Sequence, residues 1–236
     1  MKEQKKGKTT KKSSWNWTKI AMVVFGVAFV FIMIFSSLGM GWLTSMKPAV
    51  AGDVGQVGYT IRDSQNRPVL TSDLRLYNAT IEKGDIIMMT SVLNVPVDTS
   101  SENKIVIIPA YIQGYSANSG LLSYEWDVIA KDLVGMKSGE SKTITFPKLD
   151  GVEMQMTSEE FNQLFNQTGY TFNTFKLNDQ ILLPMVNQPT INLDDTEIPE
   201  EYFLRVGYIK EKTNDTITID YAYSTAEINL MRLNNR

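Results

Sequence analysis

The chain has no cysteine and no histidine. Thiol nucleophiles, disulfides, Cys-based metal sites, Ser–His triads and the usual transition-metal ligands are therefore excluded. Carboxylates, lysines, tyrosines and hydroxyls remain, or action without covalent chemistry. The nearest thing to paired carboxylates is Glu159-Glu160, Asp194-Asp195 and Glu200-Glu201. Adjacent strand residues face opposite ways, and no calcium-loop spacing is present, so these read as solvated surface. The glycines form no phosphate-cradling pattern. No cofactor, metal or nucleic acid is expected. Among the aromatics set in apolar segments, Tyr59 suits a pocket wall or the core alike, whereas Trp126, Phe146 and Tyr221 read first as core packing.

The elements that must position these residues are mostly strands. Val54–Ile61 alternates with period 2 and ends at a turn over 63–68. Ile105–Ile108 reads as a buried strand, followed by a polar loop over 113–120. Ser123–Val134 is the one clear helix signal of the middle region: Trp126, Ile129 and Leu133 share a face, and Gly135 ends it. Ser141–Phe146 alternates up to Pro147. Ser158–Phe165 reads as a short helix capped by Thr157 or Ser158, with Glu160 close behind. Phe203–Lys210, Thr216–Tyr223 and Glu227–Leu233 read as closing strands. The fold class is α+β: a mostly antiparallel β-sheet domain with a short crossing helix and insertions.

Charge and apolar residues are unevenly spread. The chain has 236 residues and a net charge of -3. Residues 1–19 hold seven lysines and one acid, a net of +6; the rest, with 16 basic and 25 acidic residues, carries -9. The uncharged run from Ile20 to Leu43 follows at once, flanked by Trp15, Trp17 and Trp42. About 20 apolar residues span a ~30 Å hydrocarbon core. Lysines before such a run place the N-terminus in the cytoplasm. The expected organisation is a basic cytoplasmic tail (1–19), a transmembrane signal-anchor helix (20–43), a linker (44–52) and an extracytoplasmic domain (53–236). Residues 150–212 are a candidate inserted lobe or flap. Ala49-Val50-Ala51 has signal-peptidase character, but the length of the run favours an uncleaved anchor in the cell membrane. Asn78, Asn166 and Asn214 stand in Asn-x-Thr sequons and are glycosylation candidates.

Leu133-Val134-Gly135-Met136-Lys137-Ser138-Gly139-Glu140-Ser141-Lys142 and the strand up to Pro147 resemble the helix–turn–strand signature of FKBP-type peptidyl-prolyl cis-trans isomerases. Asp53–Thr60 resembles that family's opening strand. Thr216–Tyr221 and Glu197–Phe203 are similar to stretches of its prokaryotic, insert-bearing branch. The resemblance implies an FKBP-like domain with a substrate pocket formed by Tyr59, Leu70, Trp126, Ile129, Phe146 and Tyr221. Leu70 stands where active members carry Asp. Ile129 stands at the aromatic pocket floor, with Trp126 one turn earlier. No Asn-His-Pro follows Tyr221.

The implied activity needs no nucleophile. The amide rotation barrier is about 18–20 kcal/mol, and a dry aromatic cavity lowers it by favouring the twisted amide. Three readings follow. The chain is a membrane-anchored isomerase or folding helper acting on unfolded or proline-containing polypeptides. Alternatively it is a catalytically degenerate FKBP-like polypeptide-binding module. The third is an unrelated β-rich surface protein.

Overall fold

The computed structural model describes residues 17–37, 47–166, 169–187 and 201–234. Residues 1–16 of the basic tail, residues 38–43 of the expected membrane span, Asp194-Asp195 and Glu200 lie outside them. Two compact units divide the chain, Met1–Thr44 and Ser45–Arg236.

In the first unit, helix α1 runs from Trp17 to Ser37, 21 residues with Lys19 as their sole charge. Among the described residues no helix is long and apolar enough to cross a membrane. The backbone of α1 is continuous over these residues, and at 1.5 Å per residue it is about 30 Å long.

The second unit is an α+β fold dominated by a strongly curled, mixed 12-stranded sheet. Its strands are β1 (Val54–Asp63), β2 (Pro68–Thr71), β3 (Met88–Thr90), β4 (Leu93–Pro96), β5 (Ile105–Ile112), β6 (Tyr115–Leu122), β7 (Ser141–Thr145), β8 (Glu153–Thr157), β9 (Gln180–Asn187), β10 (Glu201–Lys212), β11 (Thr216–Asp220) and β12 (Tyr223–Asn234). The helices are α2 (Leu74–Ile81), α3 (Ser123–Asp132) and α4 (Ser158–Leu164). The main path is β7-β12-β1-β2-β3-β5-β6-β10-β11-β8, with β4 on β1 and β9 on β10. Most pairings are antiparallel; β2 with β3 and β6 with β10 are parallel.

Segments far apart in sequence thus become neighbours. The opening strand β1 pairs with the closing strand β12 along its length, and β12 pairs with β7. Helix α3 packs over β4, β5, β6, β7 and β12. Its end follows the glycine signal: Leu133 is the C-cap and Gly135 takes φ +83°, a conformation an L side chain resists. Gly139, at φ +90°, donates to Leu230 O and so turns the chain into β7.

Two hydrophobic cores form. The first fills the space between α3 and β1, β2, β5, β7 and β12, with Val57, Ile61, Leu121, Leu133 and Ile228 at its centre. The second lies between α4 and β9, β10 and β11, around a cluster of Phe161, Phe165, Phe172 and Phe175. The Phe161 ring stands 4.7 Å from Phe165 and 5.5 Å from Phe175. Met88 and Met156 are core fillers.

One expectation is corrected, and one helix is added. The region 113–120 is not a polar loop. Only Gln113 and Gly114 form the turn, with φ of 40° and 104°, and β6 starts at Tyr115. Two consecutive positive φ values match the twist of the flanking strands, so a tight hairpin replaces the loop. Helix α2 had no counterpart in the sequence reading. Asp73 caps it, accepting from Arg75 N at 2.8 Å, and Tyr77 and Thr80 form its buried face. At eight residues it makes barely two turns, too short for its apolar residues to distinguish a helical period from a strand's. The capping box of α4 appears as expected: Thr157 N donates to Glu160 Oε2 at 2.8 Å, which holds the Glu160 carboxyl below its ordinary range.

Candidate functional site

Of the six pocket candidates, four enter the first core. Tyr59, Leu70, Ile129 and Phe146 are 4%, 0%, 1% and 4% exposed. Trp126 is half-buried at the margin of the same core, and Tyr221 packs on the second core instead. The space where a pocket would lie is therefore filled by apolar side chains packed on one another. Among the residues that line three surface cavities of about 640, 530 and 500 Å³, Tyr59 alone of the six appears, at the one of about 530 Å³ beside Ser72 and Asp73.

Tyr59 sits on β1 with its side chain inward. Its hydroxyl is 2.6 Å from Thr90 Oγ1 on β3. Burial pushes its pKa well above the ordinary tyrosine range, so it is a neutral hydroxyl at any physiological pH. Thr60 and Thr71, paired across β1 and β2, bond hydroxyl to hydroxyl at 2.8 Å.

The chemically most distinctive feature escaped the sequence reading. Arg205 of β10 and Glu125 of α3 are both fully buried. Arg205 Nη2 donates to Glu125 Oε1 at 2.7 Å and Nη1 to Oε2 at 3.0 Å, a bidentate fork. Nη1 also donates to Gly120 O at 2.8 Å and Nη2 to Tyr221 O at 2.9 Å. The guanidinium lies 3.9 Å above the Tyr223 ring. Glu125 additionally accepts from Leu122 N at 2.8 Å, closing the helix start. Burial alone would lower the Arg205 pKa; the adjoining carboxylate more than offsets this and the group stays charged.

A signal for the pair was present. Glu125, Ile129 and Leu133 recur every four residues, so Glu125 belongs to the same buried stripe as Ile129 and Leu133. Arg205 alternates with Phe203 and Gly207, both inward-facing on β10. A charge on each of two inward faces is a pairing signal.

The sequons fall on different settings. Asn78 is an exposed residue of α2, while Thr80, two residues on, is 3% exposed. Asn214 is exposed in the turn between β10 and β11, and Asn166 is exposed after α4. Ala49 of the Ala-Val-Ala stretch is 1% exposed: its N–H donates to Met136 O at 2.7 Å and its carbonyl accepts from Gly135 N at 2.8 Å.

Among the described residues no group of acidic side chains is placed to hold a metal ion. Compared with known proteins, the chain matches no family model and no curated protein.

Proposed function

We propose that this chain is a membrane-anchored, FKBP-like folding helper that binds unfolded polypeptide outside the membrane. The observation that carries the reading is the lobe built on the second core. Its outermost strand, β9, pairs with β10 along Glu201–Tyr208, and its other edge has no strand partner among the described residues. Pro184 and Val186 on β9 are exposed, and Val186 is directly opposite Tyr202, 62% exposed on β10. An unpaired strand edge next to exposed apolar side chains is a surface on which an extended chain can add. The long apolar helix α1, with Lys19 in its first turn as the sole charge, supports the anchor, and the lysines before it support the orientation.

The FKBP-like assignment is supported by adjacency. Two of the segments that carry the resemblance become β1 and β7, which both pair with β12; Thr216–Tyr221 and the described end of Glu197–Phe203 fall on β11 and β10, further along the sheet. A second reading, prolyl isomerisation, draws on the same arrangement. The filled interior around Leu70 and Ile129 favours binding over turnover.

The test uses the full chain in lipid nanodiscs. Suppression of aggregation of a denatured, reduced client at stoichiometric ratio is expected, without acceleration of a proline-limited refolding reaction. Acceleration with no suppression would reverse the order of the two readings.

A further inference from the structure

The cavity of about 500 Å³ lies where β2 and the segment after α2 meet the lobe carrying β9. Two of its lining side chains present buried N–H groups with no partner among the described residues, Arg67 Nη2 and Gln180 Nε2. Both orientations are set by bonds made elsewhere. Arg67 Nε donates to Asp63 Oδ2 at 2.8 Å and Nη1 to Asn178 O at 2.7 Å, which leaves Nη2 over. Gln180 Oε1 accepts from Ile86 N at 2.8 Å; only an oxygen can accept there, so the amide nitrogen faces away from that bond. A buried donor without an acceptor is costly, and two beside one cavity point to a ligand that brings acceptor oxygens.

The surroundings select among such ligands. Asp63 neutralises Arg67, and Asp85 and Asp179 also line the cavity or its rim, so the site is net negative and disfavours an anion. A neutral carbonyl carries no such penalty. Asp179 accepts from Lys176 N at 2.7 Å, and Asp85 is the other carboxylate that lines the cavity. Tyr170 and Phe175, edge to face at 5.2 Å, supply an apolar wall.

We propose that this cavity binds an uncharged peptide segment. Its backbone carbonyls accept from Arg67 Nη2 and Gln180 Nε2, its N–H donates to Asp85, and an apolar side chain rests on Tyr170 and Phe175. The peptide identity of the ligand rests on the polypeptide-binding reading above; the donor pair and the net negative charge do not.

The probe is the capped tripeptide N-acetyl-Ala-Phe-Ala-amide, titrated calorimetrically into the full chain in nanodiscs. Gln180→Glu keeps an acceptor for Ile86 N and removes the unpaired donor. Arg67→Lys keeps the charge facing Asp63 and removes Nη2. Each is expected to weaken binding about tenfold or more, with thermal unfolding checked in parallel, while acetate gives no heat. Tyr170→Leu, which leaves both donors in place, is expected to weaken binding less and covers the case in which a polar variant fails to fold; unchanged affinity in it would overturn the apolar wall. No binding by the unaltered chain, or affinity in both polar variants unchanged from it, overturns the proposal. Client aggregation is measured on the same samples. Suppression without tripeptide binding removes the cavity site and leaves the polypeptide-binding reading standing. Tripeptide binding that both polar variants lose, without suppression, does the reverse.

Discussion

Arg205 and Glu125, 80 positions apart in sequence, meet as a bidentate ion pair with both side chains fully excluded from solvent. One member lies on the strand that leads out of the lobe and the other in the first turn of the helix that covers the sheet. The pair therefore ties the two cores together. Removing one partner leaves a buried charge with no counterion, which typically costs about 3–5 kcal/mol. Arg205→Met is expected to destabilise the chain by that amount in denaturant unfolding. The double change Arg205→Met with Glu125→Leu is expected to recover most of the loss, because no charge then remains buried. Additive losses in the double variant would contradict this.

Gly120 is fixed by the same arrangement. A Cβ there would lie 2.5 Å from Phe203 Cδ2 and 2.9 Å from Ile105 Cγ2. Its carbonyl is also one of the acceptors of Arg205. Gly120→Ala is expected to cost about 1–3 kcal/mol by overpacking. Replacing Phe203 by Leu in the same chain should return part of that loss, a non-additivity that unfolding curves can measure.

How much of this was legible in the sequence follows the physics of each element. Strands β1, β7, β10 and β12 and helices α3 and α4 announce themselves through alternation, caps and glycine stops, which are local signals. The β6 strand was hidden because Tyr115–Asn118 are polar or small and partly exposed, so alternation is muted until Ser119. The grouping of Tyr59, Leu70, Ile129 and Phe146 was anticipated as a site, and the structure does bring them together, but as a packed interior. Tyr221 departs from that group because it lies just beyond β11, where its ring packs on the second core. The Arg205–Glu125 pair is a property of sheet order, which joins β6 to β10 across a long insertion; composition alone does not show it.

Alkaline pH should unfold the chain through its buried tyrosines. Burial raises the pKa values of Tyr59 and Tyr223 in the folded state above their unfolded value near 10. The folded state then holds protons that the unfolded state releases. The associated stability is complete below about pH 10 and is lost as pH rises further. Tyr59→Phe should flatten this decline, at a cost of about 1 kcal/mol at neutral pH for the lost bond to Thr90. Urea unfolding between pH 8 and 11 measures both.

Ala49 makes the choice of N-terminus matter. It is buried and pairs with Gly135 and Met136 at the end of α3. A fragment beginning at residue 52 loses these bonds and leaves Met136 O and Gly135 N to water. It is expected to melt several degrees below a fragment beginning at residue 47. Equal melting temperatures would show that the docked segment contributes nothing to stability.

The central claim is that the lobe on the second core holds unfolded polypeptide. The most direct measurement is suppression of client aggregation by the full chain in nanodiscs, compared with a chain carrying Val186→Ser and Tyr202→Ser. The account predicts strong suppression by the unaltered chain and loss of most of it in the double variant, with thermal unfolding of both chains measured alongside to separate lost binding from lost folding. Undiminished suppression by the variant, or none by the unaltered chain, would contradict it.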